Sequence, residues 1–382
     1  MRIGYLGGSI TEQAGWRPKT LAWFQSQYLK AHVTEINAAI GGTGSDLGVY
    51  RLQHDVLQFK PHLLFVEFAV NDSGAAPDRI HKAIEGIVRQ TWRADPTTDI
   101  CFVYTLTEGM LGDLQSGKFP RAASAMEDVA DHYNIPSIHM GLEVARLQQA
   151  GKVVFRGALP QTPDENAANG GRIVFSGDGV HPYPETGHQL YLESIVRSMA
   201  QISKVGVARR HALPAPLDRD NWEQAKMIPL SAADLSSGWK KLDPASHPLA
   251  KRFQVRTPEL WKANKAGDSI QFKFRGTSAS IYDLLGPDCG QVSVQFDDRP
   301  AEVHPLFDAF SNYHRLATLG IADGAVLGVH SVTITILPGQ PDKLKILHQR
   351  LENAAIKELD PAVYNDTAWY AGALLIIGEI VK

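Results

Sequence analysis

The chain has 382 residues, 44% hydrophobic and 21% charged, with 38 Lys+Arg against 41 Asp+Glu. That length predicts two domains, and the composition excludes a mainly disordered chain; 33 glycines without a G-X-Y period exclude collagen. A net charge of −3 offers no bulk positive field to nucleic acid or an anionic membrane, and two cysteines exclude a disulfide framework or a Cys-rich zinc site.

The first half alternates strand-like and helix-like runs. Residues 2–6 (RIGYL) are short, apolar and bounded by Gly, and 17–31 carries Leu21, Phe24 and Tyr28 at helical spacing. Strands are predicted over 33–40, 62–70, 100–106 and 136–140, and helices over 46–59, 78–94, 120–133 and 185–202. The run HLLFVEFAV at 62–70 is almost wholly apolar, as a strand covered on both faces should be. Strand–helix alternation with short connections implies right-handed crossovers and a parallel sheet between helix layers. Ligands of such sheets bind beyond the carboxyl ends of the strands, which places the loops near Gly7, Gly41, Asn71 and Thr107 on one rim.

The texture then changes. Residues 203–224 hold Pro, Gly and a basic cluster without a period, and 206–224 reads as a surface linker. Beyond it DSIQFKFRG, SASIYDLLG, QVSVQFDDR, HRLATLGI, HSVTITIL and GALLIIGEIV are strand-length, several of them alternating. The predicted organisation is therefore 1–205 α/β, 206–224 linker, and 225–382 an all-β, jelly-roll-like sandwich. Cys101, in an apolar strand, reads as a core thiol, and Cys289 lies in a loop. No stretch reaches the ~18–20 apolar residues that span a bilayer, and no signal-peptide pattern precedes the first strand. The expected location is cytoplasmic, or secreted or periplasmic if a signal peptide has been removed.

Four short elements carry chemistry: Gly7-Gly8-Ser9-Ile10-Thr11, Gly41-Gly42-Thr43-Gly44, Val70-Asn71-Asp72, and Asp178-Gly179-Val180-His181. Each alone is ordinary turn or capping material. Together they meet the needs of acyl transfer, which takes a nucleophile, a base, an orienter for the base, and donors aimed at the oxyanion. Ser9 supplies the hydroxyl, His181 the base and Asp178 the orienter. The N–H groups of Ser9 and Gly42 and the Asn71 amide are three neutral donors. Asp72 is expected to brace its own loop, and His188 to lie on a helix surface.

In these blocks the sequence resembles the SGNH (GDSL-type) hydrolases, over about residues 1–200. The resemblance implies a flavodoxin-like three-layer α/β/α domain and a cofactor-free serine hydrolase, with no metal. Catalytic Ser9, Asp178 and His181 and an oxyanion hole of Ser9, Gly42 and Asn71 match the family blocks in order. Two departures stand out: Gly8 takes the place of the Asp of GDS, and Ala69 the place of the first Gly of GxND. The GGSIT form and the appended β-domain look more like the carbohydrate-esterase branch.

Within that branch the expected partner is an acetylated carbohydrate, not nucleic acid or membrane, and a homo-oligomer is compatible with the sequence. Residues 107–177 are polar and Gly/Asn-rich instead of forming an apolar cleft. Trp16, Glu108 and Tyr183 are candidate substrate contacts, each with a packing alternative. Three rivals stand beside this reading: a GDSL-type lipase or acyl-thioesterase, a non-catalytic carbohydrate-binding protein, and a nucleotide-binding domain. The last would use the Gly4–Gly8 turn and Glu35, but it lacks the G-x-G-x-x-G spacing and leaves Asn71 and the DxxH unused.

Overall fold

A computed structural model describes residues 1–206, 208–352, 355–356 and 359–381. The chain divides into two compact units, Met1–Glu223 and Gln224–Lys382.

The first unit runs β1 (Arg2–Gly7), α1 (Ser9–Glu12), α2 (Trp16–Gln27), β2 (Thr34–Asn37), α3 (Ser45–Asp55), β3 (Leu63–Glu67), α4 (Pro77–Ala94) and β4 (Asp99–Tyr104). It continues with α5 (Leu111–Gln115), α6 (Arg121–Tyr133), β5 (Ser137–His139), α7 (Gly141–Gln149), β6 (Val153–Arg156), α8 (Pro163–Ala168), β7 (Ile173–Ser176) and α9 (Gly187–Val205). Five strands form a parallel sheet in the order β2-β1-β3-β4-β5, the flavodoxin-like doubly wound order. Every residue of β3 is buried, as its unbroken apolar run requires. On α4, Ile80, Ile84, Ile87, Val88 and Trp92 are all buried. Their three- and four-residue spacing puts them on one face, and each such side chain contributes roughly 1.5–3 kcal/mol on burial. The parallel pair β6–β7 lies apart from the main sheet, and at four residues each its strands carry too short an apolar run to be read in advance.

The stretch read as a linker is packed on the first unit. Glu85, fully buried on α4, accepts the N–H groups of Leu217 and Asp218 at 2.5 and 2.8 Å. Glu223 takes Arg89 at 2.6 Å and Arg93 at 3.0 Å, and the His211 ring stacks on Trp92 at 4.8 Å. These contacts give a segment without internal periodicity its fixed place. Among the described residues, no helix is long and apolar enough to cross a membrane.

The second unit comprises β8 (Ala225–Pro229), β9 (Asp234–Leu235), β10 (Lys240–Lys241), α10 (Pro248–Phe253), β11 (Trp261–Ala263), β12 (Ser269–Leu285), β13 (Gln291–Phe296), β14 (Glu302–Pro305), β15 (Arg315–Ala322), β16 (Gly328–Ile336), α11 (Lys343–Leu347) and β17 (Trp369–Val381). Its strands form a large antiparallel sheet with the main path β10-β11-β17-β12-β16-β13-β14. The two strands expected at DSIQFKFRG and SASIYDLLG are one, the 17-residue β12. Its first part pairs with β16 and its last part with β15, while β17 runs alongside both. The register with β17 shifts between Gly276 and Ser278, where Gly276 faces Gly378. Here the backbones come so close that a Cβ on Gly276 would lie 2.1 Å from the Ile377 carbonyl, so only glycine fits the bulge. A single sheet thus coils around one core that includes Trp239, Phe274, Ile281, Ile334, Trp369 and Leu374, an all-β arrangement that fits a jelly roll loosely.

The Asp283 carboxyl is buried beside that core. Asp283 accepts the Trp369 indole N–H at 3.0 Å, and its other oxygen has no partner among the described residues. Burial pushes Asp283 up to about 7 from 3.8, against the pull of the Trp369 donor and Arg315. The folded state therefore holds this proton between about pH 4 and 7, where the unfolded chain has released it, and the group's contribution to stability falls as pH rises through that window. The difference in melting temperature, Asp283→Asn minus parent, is expected to grow more positive from pH 4.5 to pH 8. A difference that stays constant across those pH values would remove the buried-acid assignment.

Candidate active site

β1 delivers the first block to the carboxyl edge of the sheet. Gly7 pairs with Glu67 of β3, and a Cβ on Gly7 would lie 2.8 Å from both the Glu67 carbonyl and the Thr11 hydroxyl. Gly8 is extended (φ −93°, ψ −154°), and α1 starts at Ser9. A Cβ on Gly8 would lie 1.9 Å from Asn71 Oδ1. The residue that departs from the GDS pattern is therefore the one against which the Asn71 amide rests.

Ser9 Oγ is 2.8 Å from His181 Nε2, and His181 Nδ1 is 2.7 Å from Asp178 Oδ2. The other Asp178 oxygen accepts the N–H groups of Val180 and His181, each at 2.8 Å. Partial burial pushes the Asp178 carboxyl up, but the His181 ring and the two N–H donors outweigh it and hold it at about 2. An ionised Asp178 accepts from Nδ1–H, which leaves Nε2 as the acceptor facing the Ser9 hydroxyl. The DxxH turn itself depends on Gly179, whose φ of +84° is left-handed.

The second block comes from the loop after β2. Gly42 has φ +73°, and a Cβ there would meet nothing within 4 Å. Its glycine is thus explained by backbone conformation. Gly41 N–H is donated to Glu12 Oε2 at 2.9 Å, and a Cβ on Gly41 would be 3.5 Å from the Ser9 Cβ. With Gly41 N–H engaged beside Ser9, Gly42 is the adjacent residue left with a free donor. Among the described residues no group accepts from Ser9 N–H, Gly42 N–H or the Asn71 amide.

Asn71 opens a short 3₁₀ turn, Asn71–Gly74, directly after β3. Asp72 is buried and accepts Ser45 N–H at 3.0 Å. It braces the start of α3 and the Gly42 loop instead of its own loop. Burial raises its carboxyl to about 6, against hydrogen bonds from Ser45.

Two further assignments, those of Trp16 and His188, change. Trp16 has no exposed surface, with its ring edge-on to Tyr5 at 5.4 Å and to Phe65 at 5.9 Å. It is core and cannot stack on a ligand. Tyr183 is half-buried and donates its hydroxyl to the Gly157 carbonyl at 3.1 Å, so it pins the DxxH segment to the β6–β7 pair. His188 is fully buried rather than on a helix surface. Its Nδ1 accepts Trp16 N–H at 3.0 Å, its Nε2 faces Gln13 Oε1 at 3.1 Å, and burial, helped by Lys19 and His181, lowers it to about 3. Gly15 makes room for this ring, since a Cβ there would sit 2.3 Å from it. Glu108 is exposed beside the DxxH turn, donating its N–H to the Gly179 carbonyl at 2.8 Å. Glu35, the ribose partner of the nucleotide-binding rival, is paired with Arg17 instead.

One buried group escaped the sequence reading. Glu67, the only charged residue in HLLFVEFAV, lies fully buried beneath the Ser9 turn, and a carboxyl inside an otherwise apolar strand was the available signal.

Residues 5–190 match the family model of the GDSL-like lipase/acylhydrolases, so the first unit carries a GDSL-like acylhydrolase domain. No curated relative matches the sequence. The chain is similar in structure to a two-domain esterase (CEX) active on acetylated mannans. The TM-score is 0.72 at 21% identity, over 99% of this chain and 91% of that one. The same esterase co-crystallized with mannopentaose gives 0.72 at 20% identity, over 100% and 92%. An acetylxylan esterase from Geobacillus stearothermophilus gives 0.40 at 17% identity, over 52% of this chain and 93% of that one. The shared fold with the two-domain esterase spans both units, α/β followed by all-β.

Proposed function

We propose, from a first unit that is a GDSL-like acylhydrolase domain, that this protein is a serine esterase removing O-acetyl or other short acyl groups from a carbohydrate. The observation that carries the reading is the relay from Ser9 Oγ through His181 to Asp178, at 2.8 and 2.7 Å. Both distances are within hydrogen-bond reach, so the nucleophile, base and orienter are already aligned.

Ser9 attacks the acyl carbonyl while His181 Nε2 takes its proton. The charge on the former carbonyl oxygen is met by Ser9 N–H, Gly42 N–H and the Asn71 amide, three donors with no competing acceptor among the described residues. His181 returns the proton to the departing sugar hydroxyl, and the acyl group stays on Ser9. Water activated by the same nitrogen then releases the acid. Every step is proton transfer or acyl transfer among Ser9, His181, the ester and water.

A carbohydrate ester is favoured over a lipid by the polar stretch 107–177, whose helix α8 (Pro163–Ala168) has no buried residue. The full-length structural likeness to an esterase active on acetylated mannans supports the same choice. The near-neutral chain suits an uncharged glycan ester better than a phosphate-rich substrate. Acetate release is expected from at least one member of a panel of acetylated xylan, mannan, pectin and sialic acid, with octanoyl esters turned over more slowly than acetyl esters. Preference for octanoyl esters would move the assignment to a lipase.

A further inference from the structure

We infer that Glu67 is a positioning residue for Ser9, holding the strand-to-helix turn from which the nucleophile projects. The inference rests on the esterase reading above. Glu67 is the last residue of β3 and pairs with Gly7, two residues before Ser9. Its Oε2 accepts the Thr11 hydroxyl at 2.9 Å and its Oε1 the Thr105 hydroxyl at 2.7 Å, and Gly8 N–H donates to the same carboxyl. Gly8 and Thr11 flank Ser9 on the turn and on α1, whereas Thr105 follows β4. One carboxyl thus fastens both sides of the nucleophile to two neighbouring strands.

The arrangement is not an ordinary core contact. Glu67 is 1% exposed and, among the described residues, forms no ion pair with a cation. Burial pushes it up to about 7, while the Thr105, Thr11 and Gly8 donors pull it down. A leucine of similar size would fill the space without that cost. What the carboxyl adds is a set of directional acceptors at the turn. A four-residue helix such as α1 has too few internal hydrogen bonds to hold its own orientation. Since Gly8 also abuts the Asn71 amide, a shift of this turn displaces the nucleophile and an oxyanion donor together.

Misplacement of a reacting group by about 1 Å costs on the order of 100-fold in rate. Glu67→Ala is therefore expected to lower kcat for p-nitrophenyl acetate about 100-fold with KM within about two-fold of the parent. Glu67→Gln keeps one carbonyl oxygen for three donors and should recover part of that loss, remaining about ten-fold below the parent. Folding is checked by circular dichroism, and if Glu67→Ala does not fold, Glu67→Gln decides alone. A folded Glu67→Gln with kcat within two-fold of the parent would overturn the inference, because a purely structural carboxyl changes melting temperature and not turnover. The rate of fluorophosphonate labelling separates the two claims. A parent protein that is not labelled at Ser9 defeats the esterase reading, whereas a Glu67→Gln variant labelled at the parent rate defeats only the positioning role.

Discussion

Ser9→Ala and His181→Ala are each expected to abolish turnover of p-nitrophenyl acetate, with loss as complete in either single variant as in the double. The three groups act as a unit, so removing one leaves the others without a function. Ser9 Oγ is bonded to His181 Nε2, and His181 reaches Ser9 and Asp178 through opposite ring nitrogens. With its carboxyl held at about 2, Asp178 is ionised throughout the range in which the protein would work, and it fixes the tautomer that makes Nε2 a base. Asn71→Ala should behave differently. It removes one of three donors, at a cost of about 2.7–4 kcal/mol in barrier, equivalent to a 10²–10³-fold fall in kcat. A small but measurable activity should survive. Steady-state kinetics on the reporter ester, with the folded state checked by melting temperature, distinguish these outcomes. Parent-level activity in Ser9→Ala would contradict the assignment.

Gly8→Ala is the second substitution with a large expected effect, and it acts without removing any reacting group. The added methyl would lie 1.9 Å from Asn71 Oδ1 and 2.6 Å from its Cγ. Two atoms cannot share that space, so either the Asn71 amide swings away or the turn carrying Ser9 is pushed off β3. In both cases the oxyanion loses a donor at the right distance, and kcat should fall about 10²–10³-fold. KM should change little, since the donors act on charge that develops in the transition state. The mechanism predicts non-additivity. In an Asn71→Ala background the clashing amide is gone, and Gly8→Ala should cost little more. Full activity in Gly8→Ala, or independent losses in the double variant, would show that Gly8 and Asn71 are not coupled.

Much of this was legible in the sequence, and the particular residues show why. The long helices and the inner strands carry enough periodic or unbroken apolar residues to announce themselves, as Ile80, Ile84 and Ile87 do on α4. The four blocks were legible because each falls at the end of a predicted strand or before the last helix. The misreadings share another cause: they concern what a side chain meets from distant parts of the chain. Trp16 looks like a rim aromatic until Tyr5 and Phe65 close over it. His188 lies seven residues beyond His181, and only the Gly15 gap 173 residues earlier makes room for its ring. Asp72 reaches Ser45 across 27 residues. In the second unit, two runs meeting at Gly276 and Thr277 read as two strands, because the glycine pairing with Gly378 that lets one strand bend is a tertiary fact. Glu67 was visible as a lone acid in an apolar strand, but its donors come from two separate segments, the turn around Ser9 and the end of β4.

The most direct measurement of the central claim is the intact mass of the protein after reaction with a fluorophosphonate, followed by mapping of the modified peptide. One adduct per chain is expected, on the peptide containing Ser9, and none in Ser9→Ala. An unreactive parent protein, or an adduct that persists when Ser9 is replaced, would contradict a Ser9 nucleophile.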